Sequence, residues 1–255
     1  MPKAASVNAA HFEIDIVRAL ADQLVGKFEK LAIAPLTEQR IKALEPHQGV
    51  YQLFLDGVLV YIGKADLLSK RLAEHLTKIQ GRQNISANQV GFRCLYIHRN
   101  WTALAPEKSL ISHYKKSNHR ISEWNGNGFG PHDPGRQREE TNKAPDGFDA
   151  RYPIKDTWPC TWIESGSWSV LELLLSLKKG LPYLLRYQVD PPKASYTKGH
   201  PDFAGVTVNV PRNAMAARDL LALIARQLPG WQATSFPSHM ILYKESRRYK
   251  FGTIL

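Results

Sequence analysis

The fold is constrained most strongly by one stretch of the sequence, GVYQLFLDGVLVYIGK. Two short apolar runs rich in β-forming residues flank the pair Asp56-Gly57, and such a pair between two such runs is typical of a tight hairpin turn. We therefore predict a β-hairpin over residues 49–62. Each of its strands carries a tyrosine close to a glycine, Tyr51 in the first strand and Tyr61 in the second.

Regular apolar spacing on both sides of the hairpin predicts further elements. Apolar residues three and four positions apart indicate a helix over 8–31. A second helix is predicted over 37–45, where a threonine can cap its start and a proline follows its end. Beyond the hairpin we predict a helix over 66–79, a strand over 90–98 and a helix over 106–116 that begins with a proline. This order of elements favours a mixed α+β fold.

The second half of the chain opens with a long stretch that lacks apolar periodicity. Residues 123–150 are rich in Gly, Pro, Asn and Asp, and a loop of this length in a folded domain is usually functional or disordered. Its aromatic and basic residues favour the functional alternative. The pattern after it predicts helices over 168–180 and 213–228, strands over 182–189 and 203–210, and a last strand with a basic tail over 239–252.

The balance of charges gives the first indication of a partner. Lys and Arg number 34 against 23 Asp and Glu, a net charge of +11, and the charge is spread through segments that are predicted to fold. This excess favours a polyanion such as nucleic acid. No apolar run approaches the ~18–20 residues of a membrane span, and the start of the chain lacks a secretory signal. We therefore expect a cytoplasmic protein.

Polar side chains around the hairpin form a pattern that core packing does not require. Arg71 and His75 are four residues apart, on one face of a predicted helix. Glu107 lies in the first turn of another helix, where the helix dipole favours a carboxylate. An arginine can clamp a phosphate with two hydrogen bonds, and a lone carboxylate can hold Mg²⁺. Together with Tyr51 and Tyr61, these groups suit phosphodiester hydrolysis.

These residues stand in strings with a recognisable resemblance. GVY…YIGK followed by R-x-x-x-H resembles the GIY-YIG nuclease superfamily, with Val50 in place of the usual Ile. The strings GRQNI, NWTALAPEKSLI, WNGNGFGPHDPGRQRE and PDGFDARYPI resemble the GIY-YIG type II restriction endonucleases that cut the palindrome CCGCGG. The resemblance covers roughly residues 12–160.

The resemblance implies a fold and an activity. The fold is an α+β nuclease core, a small mixed or antiparallel sheet flanked by helices, with N-terminal helices and a C-terminal α+β extension. We predict a helical region over 1–46, the catalytic core over 47–150, and a region over 151–255 for DNA recognition, dimerisation or both. The implied activity is metal-dependent cleavage of double-stranded DNA that leaves 5′-phosphate and 3′-hydroxyl ends. The implied cofactor is one Mg²⁺ per site, with Mn²⁺ as a substitute.

The resemblance also implies partners and a set of site residues. A palindrome is most simply cut by a homodimer, and a cognate DNA methyltransferase is expected to be encoded alongside the enzyme. The implied catalytic residues are Tyr51, Tyr61, Arg71, His75, Glu107 as the metal ligand, and Asn125, with Asn127 two residues away and Lys64 in support.

The expected roles leave one alternative open. Tyr51 is expected to activate a water, Arg71 to bind the scissile phosphate, and Tyr61 to orient either of these. Whether Tyr51 or His75 is the final general base does not follow from the sequence. DNA contacts are predicted for basic residues at and just after the end of the helix over 106–116, in the long loop and in the C-terminal tail: Lys115, Lys116, Arg120, Arg136, Arg138, Arg247 and Arg248.

Competing interpretations remain for the residues and for the whole chain. The tyrosines can be no more than half-buried aromatic residues of the strands, and Arg71 and His75 can lie on a solvated helix face. The nuclease interpretation fails only if all such alternatives hold together. Among functions, the alternatives are a homing-type or repair GIY-YIG nuclease and a catalytically idle DNA-binding protein. An RNA-binding module is disfavoured because no ribonucleoprotein-type aromatic motif is present. Cys94 and Cys160 are too far apart in sequence to suggest a thiolate cluster.

Overall fold

The computed structural model describes residues 16–98, 106–117, 123–126, 128–129, 137–140, 146–192 and 194–255. Its helices are α1 (Ile16–Glu29), α2 (Glu38–Lys42), α3 (Leu68–Gln80), α4 (Pro106–Ser117), α5 (Gln137–Glu140), α6 (Gly147–Arg151), α7 (Val170–Gly180) and α8 (Ala217–Gln227). Its strands are β1 (Ala34–Pro35), β2 (Gly49–Leu55), β3 (Val58–Ala65), β4 (Val90–Tyr96), β5 (Gly166–Ser169), β6 (Leu184–Tyr187), β7 (Thr207–Val210), β8 (Gln232–Ser235), β9 (His239–Tyr243) and β10 (Thr253–Ile254).

The N-terminal sheet is built on the predicted hairpin. Its strand order is β1-β4-β2-β3, and every pair is antiparallel. The turn between β2 and β3 has positive φ angles at Asp56 (49°) and Gly57 (79°), the conformation that an Asp-Gly hairpin turn adopts. One face of the sheet packs against α3 and the other against α1 and α4. The hairpin, α2, α3, β4 and α4 were all predicted from the pattern.

The segment before the hairpin belongs to this sheet as well. Strand β1 pairs with β4, and α1 packs against α4. The short β1 was not predicted because it holds two residues, one of them Pro35, and a proline is tolerated only on the edge of a sheet. The N-terminal part of the helix predicted over 8–31 lies outside the described residues.

The C-terminal region has its own sheet and its own core. The C-terminal sheet has the order β10-β8-β9-β6, with β6 and β9 parallel, and β5 pairs with β7 in a two-stranded ribbon. Helices α7 and α8 pack on this core. The predicted helices and strands are present with shorter bounds, whereas β5, β8 and β10 were missed. The short helices α5 and α6 were also missed, because the stretch over 123–150 was predicted as a loop. Cys160 is buried and Cys94 half-buried, and both are free thiols.

A polar contact joins the two regions at the end of α3. The Arg82 guanidinium forms a buried ion pair with Asp149 at 2.9 Å and donates to the carbonyl of Pro237 at 3.2 Å. The backbone N–H of Gln83 donates to the Pro153 carbonyl at 2.8 Å. Within the described part of the chain, no helix has the length and apolar character needed to cross a membrane.

Candidate active site

Two tyrosines and one histidine meet under the N-terminal sheet. The Tyr51 hydroxyl lies 2.7 Å from Nε2 of His75, which is on α3. The ring of Tyr61 lies 6.0 Å from that of Tyr51 and 5.5 Å from that of His75, centroid to centroid. The tyrosines share a face of the sheet because Tyr61 pairs with Leu53, two residues along β2 from Tyr51. The structure therefore brings these three predicted residues together.

The glycines of the two motifs are explained by this packing. A Cβ atom on Gly63 would collide with the Tyr51 hydroxyl and with the ring of Tyr61. A Cβ atom on Gly49 would collide with the backbone of Leu95. Only glycine lets the tyrosines and the neighbouring strand approach so closely. The glycines thus make room for the site.

The protonation states of the buried pair follow from its surroundings. Burial, reinforced by the positive charges of Arg71 and Lys78, lowers the pKa of His75 to about 3. Burial and the neighbouring Tyr61 raise the pKa of Tyr51, and Arg71 offsets this only in part. At neutral pH His75 is therefore neutral and Tyr51 protonated, and the two share a hydrogen bond whose direction depends on which ring nitrogen of His75 carries the proton.

Arg71 lies at the edge of this cluster. Its side chain is 23% exposed, and Nη1 is 2.7 Å from the Glu74 carboxylate. Its charge acts on both Tyr51 and His75. A guanidinium that is partly exposed beside buried phenols can exchange Glu74 for a phosphate.

Glu107 is half-buried in the first turn of α4. Burial raises the pKa of its carboxyl, and the charges of Lys64, Arg71 and Lys108 partly offset this rise. The pKa of Tyr61 is raised mainly by burial and, to a smaller extent, by the negative charge of Glu107. Lys64 itself is exposed. The structure therefore places the expected metal ligand within electrostatic range of Tyr61 and Arg71.

The donor set fits a single hard cation. Among the described residues no side chain forms an ion pair with Glu107. The same residues contain no group of three or more His, Cys, Asp or Glu side chains that could hold a metal ion together. One partly desolvated carboxylate suits Mg²⁺, which keeps several waters and takes phosphate oxygens as further ligands. Closed tetrahedral zinc sites need more protein ligands than this part of the chain provides.

The side chain of Asn125 is engaged with the main chain. Its Oδ1 accepts from the N–H of Ile62 at 2.9 Å, and its Nδ2 donates to the carbonyl of Ile62 at 2.8 Å. Strand β3 is an edge of the sheet, so Asn125 satisfies backbone groups that would otherwise lack partners. This geometry favours positioning of Tyr61 over contact with substrate. Asn127 lies outside the described residues.

Phe129 is a contributor to the site that sequence reasoning did not identify. Its ring stacks on His75 at 4.6 Å with an angle of 16° between the planes. Lys78 donates to the carbonyls of Gly128 and Phe129 at 3.1 and 2.9 Å. Phe129 lies in WNGNGFGPHDPGRQRE, one of the strings that carry the resemblance, and the aromatic residues and glycines of this string were the available signal for it.

The predicted DNA contacts are only partly described. Lys115 is exposed on α4, and Arg248 borders a surface depression of about 420 Å³. Arg247 is exposed but forms an ion pair with Glu140 at 2.8 Å. Four of the predicted contacts lie outside the described residues or have side chains outside them: Lys116, Arg120, Arg136 and Arg138.

The comparison with known families agrees with this geometry. Residues 56–150 match the model described as the Eco29kI GIY-YIG domain. The matched segment contains Tyr61, Arg71, His75 and Glu107, whereas Tyr51 lies just before it. No curated protein matches the chain. The match supports a nuclease of the GIY-YIG restriction endonuclease type, and the mixed α+β fold is consistent with such a domain.

Proposed function

We propose that the chain is a type II restriction endonuclease that hydrolyses phosphodiester bonds in double-stranded DNA at a GC-rich palindrome, CCGCGG. The observation that carries the proposal is the hydrogen bond between the Tyr51 hydroxyl and a neutral His75, beside Arg71 and Glu107. A proton acceptor, a phosphate-binding cation and a carboxylate next to one another supply the groups that phosphodiester hydrolysis needs.

The attacking water is activated through Tyr51. In the tautomer of His75 that leaves Nε2 unprotonated, the Tyr51 hydroxyl donates to this nitrogen, so its oxygen takes a proton from the water as its own proton passes to His75. The pair gains the proton that the water loses, and the resulting hydroxide attacks phosphorus. The leaving 3′ oxygen takes a proton from solvent, which leaves a 5′-phosphate and a 3′-hydroxyl. In this scheme Tyr51 faces the water and His75 holds the proton. The bound phosphate favours this because its negative charge offsets the Arg71 charge, which adds to burial in lowering the pKa of His75.

Arg71 prepares the site for this step. Tyr51 is fully buried in the DNA-free chain, and Arg71 pairs with Glu74 beside it. A DNA phosphate competes with Glu74 for the guanidinium, and the exchange opens a path to the Tyr51 hydroxyl. Bidentate binding then orients the phosphate for in-line attack.

Glu107 would hold one Mg²⁺, with Mn²⁺ as a substitute. The chemistry that the ion supplies when bound is stabilisation of the negative charge that develops on the leaving oxygen. Burial of the Glu107 carboxyl, which raises its pKa, makes a cation at this position more favourable than it would be in water.

Cleavage of both strands of a palindrome points to a homodimer with one site in each subunit. Protection of the host genome would then require the cognate methyltransferase, and both enzymes would act in the cytoplasm. The net charge of +11 fits a DNA partner.

Replacement of Glu107 tests the proposal directly. Glu107→Ala should slow cleavage of plasmid DNA by roughly 10³-fold or more, because several kcal/mol of charge stabilisation is lost. Binding to DNA in EDTA should stay close to that of the wild type. Glu38→Ala removes an exposed carboxylate on α2 and serves as the matched control. Normal cleavage by Glu107→Ala would contradict the proposal.

A further inference from the structure

The short helix α5 is attached to the C-terminal sheet through a buried carboxylate. The side chain of Glu139 is fully buried, and its Oε1 lies 2.7 Å from Nη1 of Arg186. The same oxygen lies 3.2 Å from Nε2 of His239 and 3.2 Å from the hydroxyl of Tyr243. Arg186 is on β6, whereas His239 and Tyr243 are on the neighbouring strand β9. We call these four residues the anchor cluster.

The other three residues of the anchor cluster all donate to Glu139. A carboxylate only accepts hydrogen bonds, so Nε2 of His239 must carry a proton, and Nδ1 lies 2.7 Å from the hydroxyl of Ser238. Burial, with the negative charge of Glu139, raises the pKa of Tyr243, so its hydroxyl stays protonated. The carboxylate therefore fixes the orientation of three side chains from two strands.

A second ion pair attaches the same helix at the surface. Glu140 lies 2.8 Å from Nη1 of Arg247, and both side chains are about half exposed. The two adjacent carboxylates of α5 thus both reach residues of the C-terminal region. Arg247, which was predicted to contact DNA, has a protein partner in the DNA-free chain.

The course of the chain gives this attachment a functional meaning. Phe129 precedes α5 in the sequence and belongs to the catalytic core, where it stacks on His75. Asp149 follows α5 in the sequence and pairs with the buried Arg82. Helix α5 lies between these two points and is fixed to the other sheet. The segment between Phe129 and Asp149 also carries Arg136 and Arg138, the arginines expected to contact DNA.

Stability alone does not explain a charged anchor. Apolar residues of similar volume usually stabilise a core at least as well as a buried ion pair. Directional hydrogen bonds instead select one arrangement of the groups that they join. An arrangement of this kind is what base recognition requires, because each correct contact depends on the position of its donor.

We propose that Glu139 is a positioning residue for DNA recognition: through the anchor cluster, the C-terminal sheet holds α5 in place, and with it the backbone of Arg138, one of the arginines expected to contact DNA. This inference rests on the proposed function. In this proposal the C-terminal sheet supports α5 during DNA recognition.

The test compares two adjacent isosteric variants, Glu139→Gln and Glu140→Gln. A duplex is first enriched by the wild type from a random pool. The affinity of each protein for this duplex is then measured in EDTA and compared with its affinity for the same duplex changed at one base pair. Glu139→Gln should lower the ratio of the two affinities about tenfold or more, the size of one lost base contact. Glu140→Gln, on the exposed side, should keep the ratio within about twofold. Hydrogen exchange should increase in α5 for Glu139→Gln alone.

Each outcome decides one of the two proposals. An unchanged ratio in a folded Glu139→Gln protein overturns the positioning role, as does a wild type without selectivity. A wild type that binds selectively but cleaves no DNA overturns the nuclease proposal and leaves the affinity comparison valid. If Glu139→Gln does not fold, Tyr243→Phe removes one of the three hydrogen bonds and should lower the ratio in the same direction. No change with Tyr243→Phe would then contradict the proposal.

Discussion

The N-terminal and C-terminal regions each bury a cluster of the same residue types with opposite arrangements. In the catalytic core, Tyr51 and His75 share a hydrogen bond, and Arg71 forms an ion pair with the partly exposed Glu74. Glu107 stands apart from that hydrogen bond and has no ion-pair partner among the described residues. In the anchor cluster, an arginine, a histidine and a tyrosine all donate to one carboxylate.

The difference shows that pairing, more than residue type, separates a reactive cluster from a structural one. When the carboxylate lies at the centre, the arginine, the histidine and the tyrosine each direct a donor to it, and we call such a cluster closed. When the carboxylate lies to one side, the histidine stays neutral among cations, and both the arginine and the carboxylate remain available to a substrate. Four predictions test this contrast, from the largest expected effect to the smallest.

The largest effect is expected from removal of a single hydroxyl in the catalytic core. Tyr51→Phe should slow single-turnover DNA cleavage by about 10³-fold, as expected for loss of a general acid–base group. Tyr183→Phe is the matched control, because burial also raises the pKa of Tyr183 and its hydroxyl donates to the Lys155 carbonyl in the C-terminal region. Cleavage by Tyr183→Phe should match the wild type, and equal losses in both variants would contradict a catalytic role for Tyr51.

The second prediction concerns stability. Arg186→Leu leaves the carboxylate of Glu139 buried without its cation and should lower the free energy of unfolding by about 3–5 kcal/mol. Arg71→Leu leaves only the half-exposed Glu74 and should cost less than about 1 kcal/mol. Urea denaturation at pH 7 measures both values. If the two variants are equally destabilised, the distinction between a closed and an open cluster is wrong.

The third prediction is a dependence of stability on pH. The pKa of His75 is lowered to about 3 in the folded chain, so below its ordinary value of roughly 6.5 the unfolded state binds one more proton than the folded state. Stability should therefore fall by up to about 1.4 kcal/mol per pH unit between these two pKa values as the pH decreases. Denaturation at several pH values should show a shallower slope for His75→Gln, and identical slopes would contradict a neutral His75.

The smallest effect is expected at the rim of the catalytic cluster. Glu74→Gln weakens the pair that competes with a DNA phosphate for Arg71. Exposed ion pairs contribute about 0.2–1 kcal/mol, so affinity for DNA should rise by roughly two- to fivefold. Fluorescence anisotropy with a labelled duplex measures the change. Glu172→Gln, on the distant helix α7, corrects for the general effect of one negative charge less.

The parts of the fold that could be predicted are those with a local cause. The Asp56-Gly57 turn, the apolar stripe of α3 and the N-cap at Thr37, which accepts from the Arg40 N–H, follow from the residues themselves. Strand β1 and strand β10 hold two residues each, and they exist because a neighbouring strand offers backbone partners. No local pattern carries that information.

The same distinction applies to the site. Spacing alone places Arg71 and His75 on one face of a helix. The hairpin singles out the tyrosines and the helix start singles out Glu107, and the resemblance assigns each of them a role. The stacking of Phe129 on His75 depends on contacts between residues more than 50 positions apart. The bond between Glu139 and Arg186 likewise joins segments 47 positions apart in the sequence. Neither leaves a mark in the periodicity of its own segment.

The measurement that tests the central claim most directly is digestion of a plasmid with one CCGCGG site, in Mg²⁺ and in EDTA, followed by sequencing of the ends. We expect one linear product that forms only with the metal and maps to that site. Its ends should carry 5′-phosphate and 3′-hydroxyl groups. DNA binding without cleavage in either Mg²⁺ or Mn²⁺ would contradict the claim that Tyr51, His75, Arg71 and Glu107 form a nuclease site.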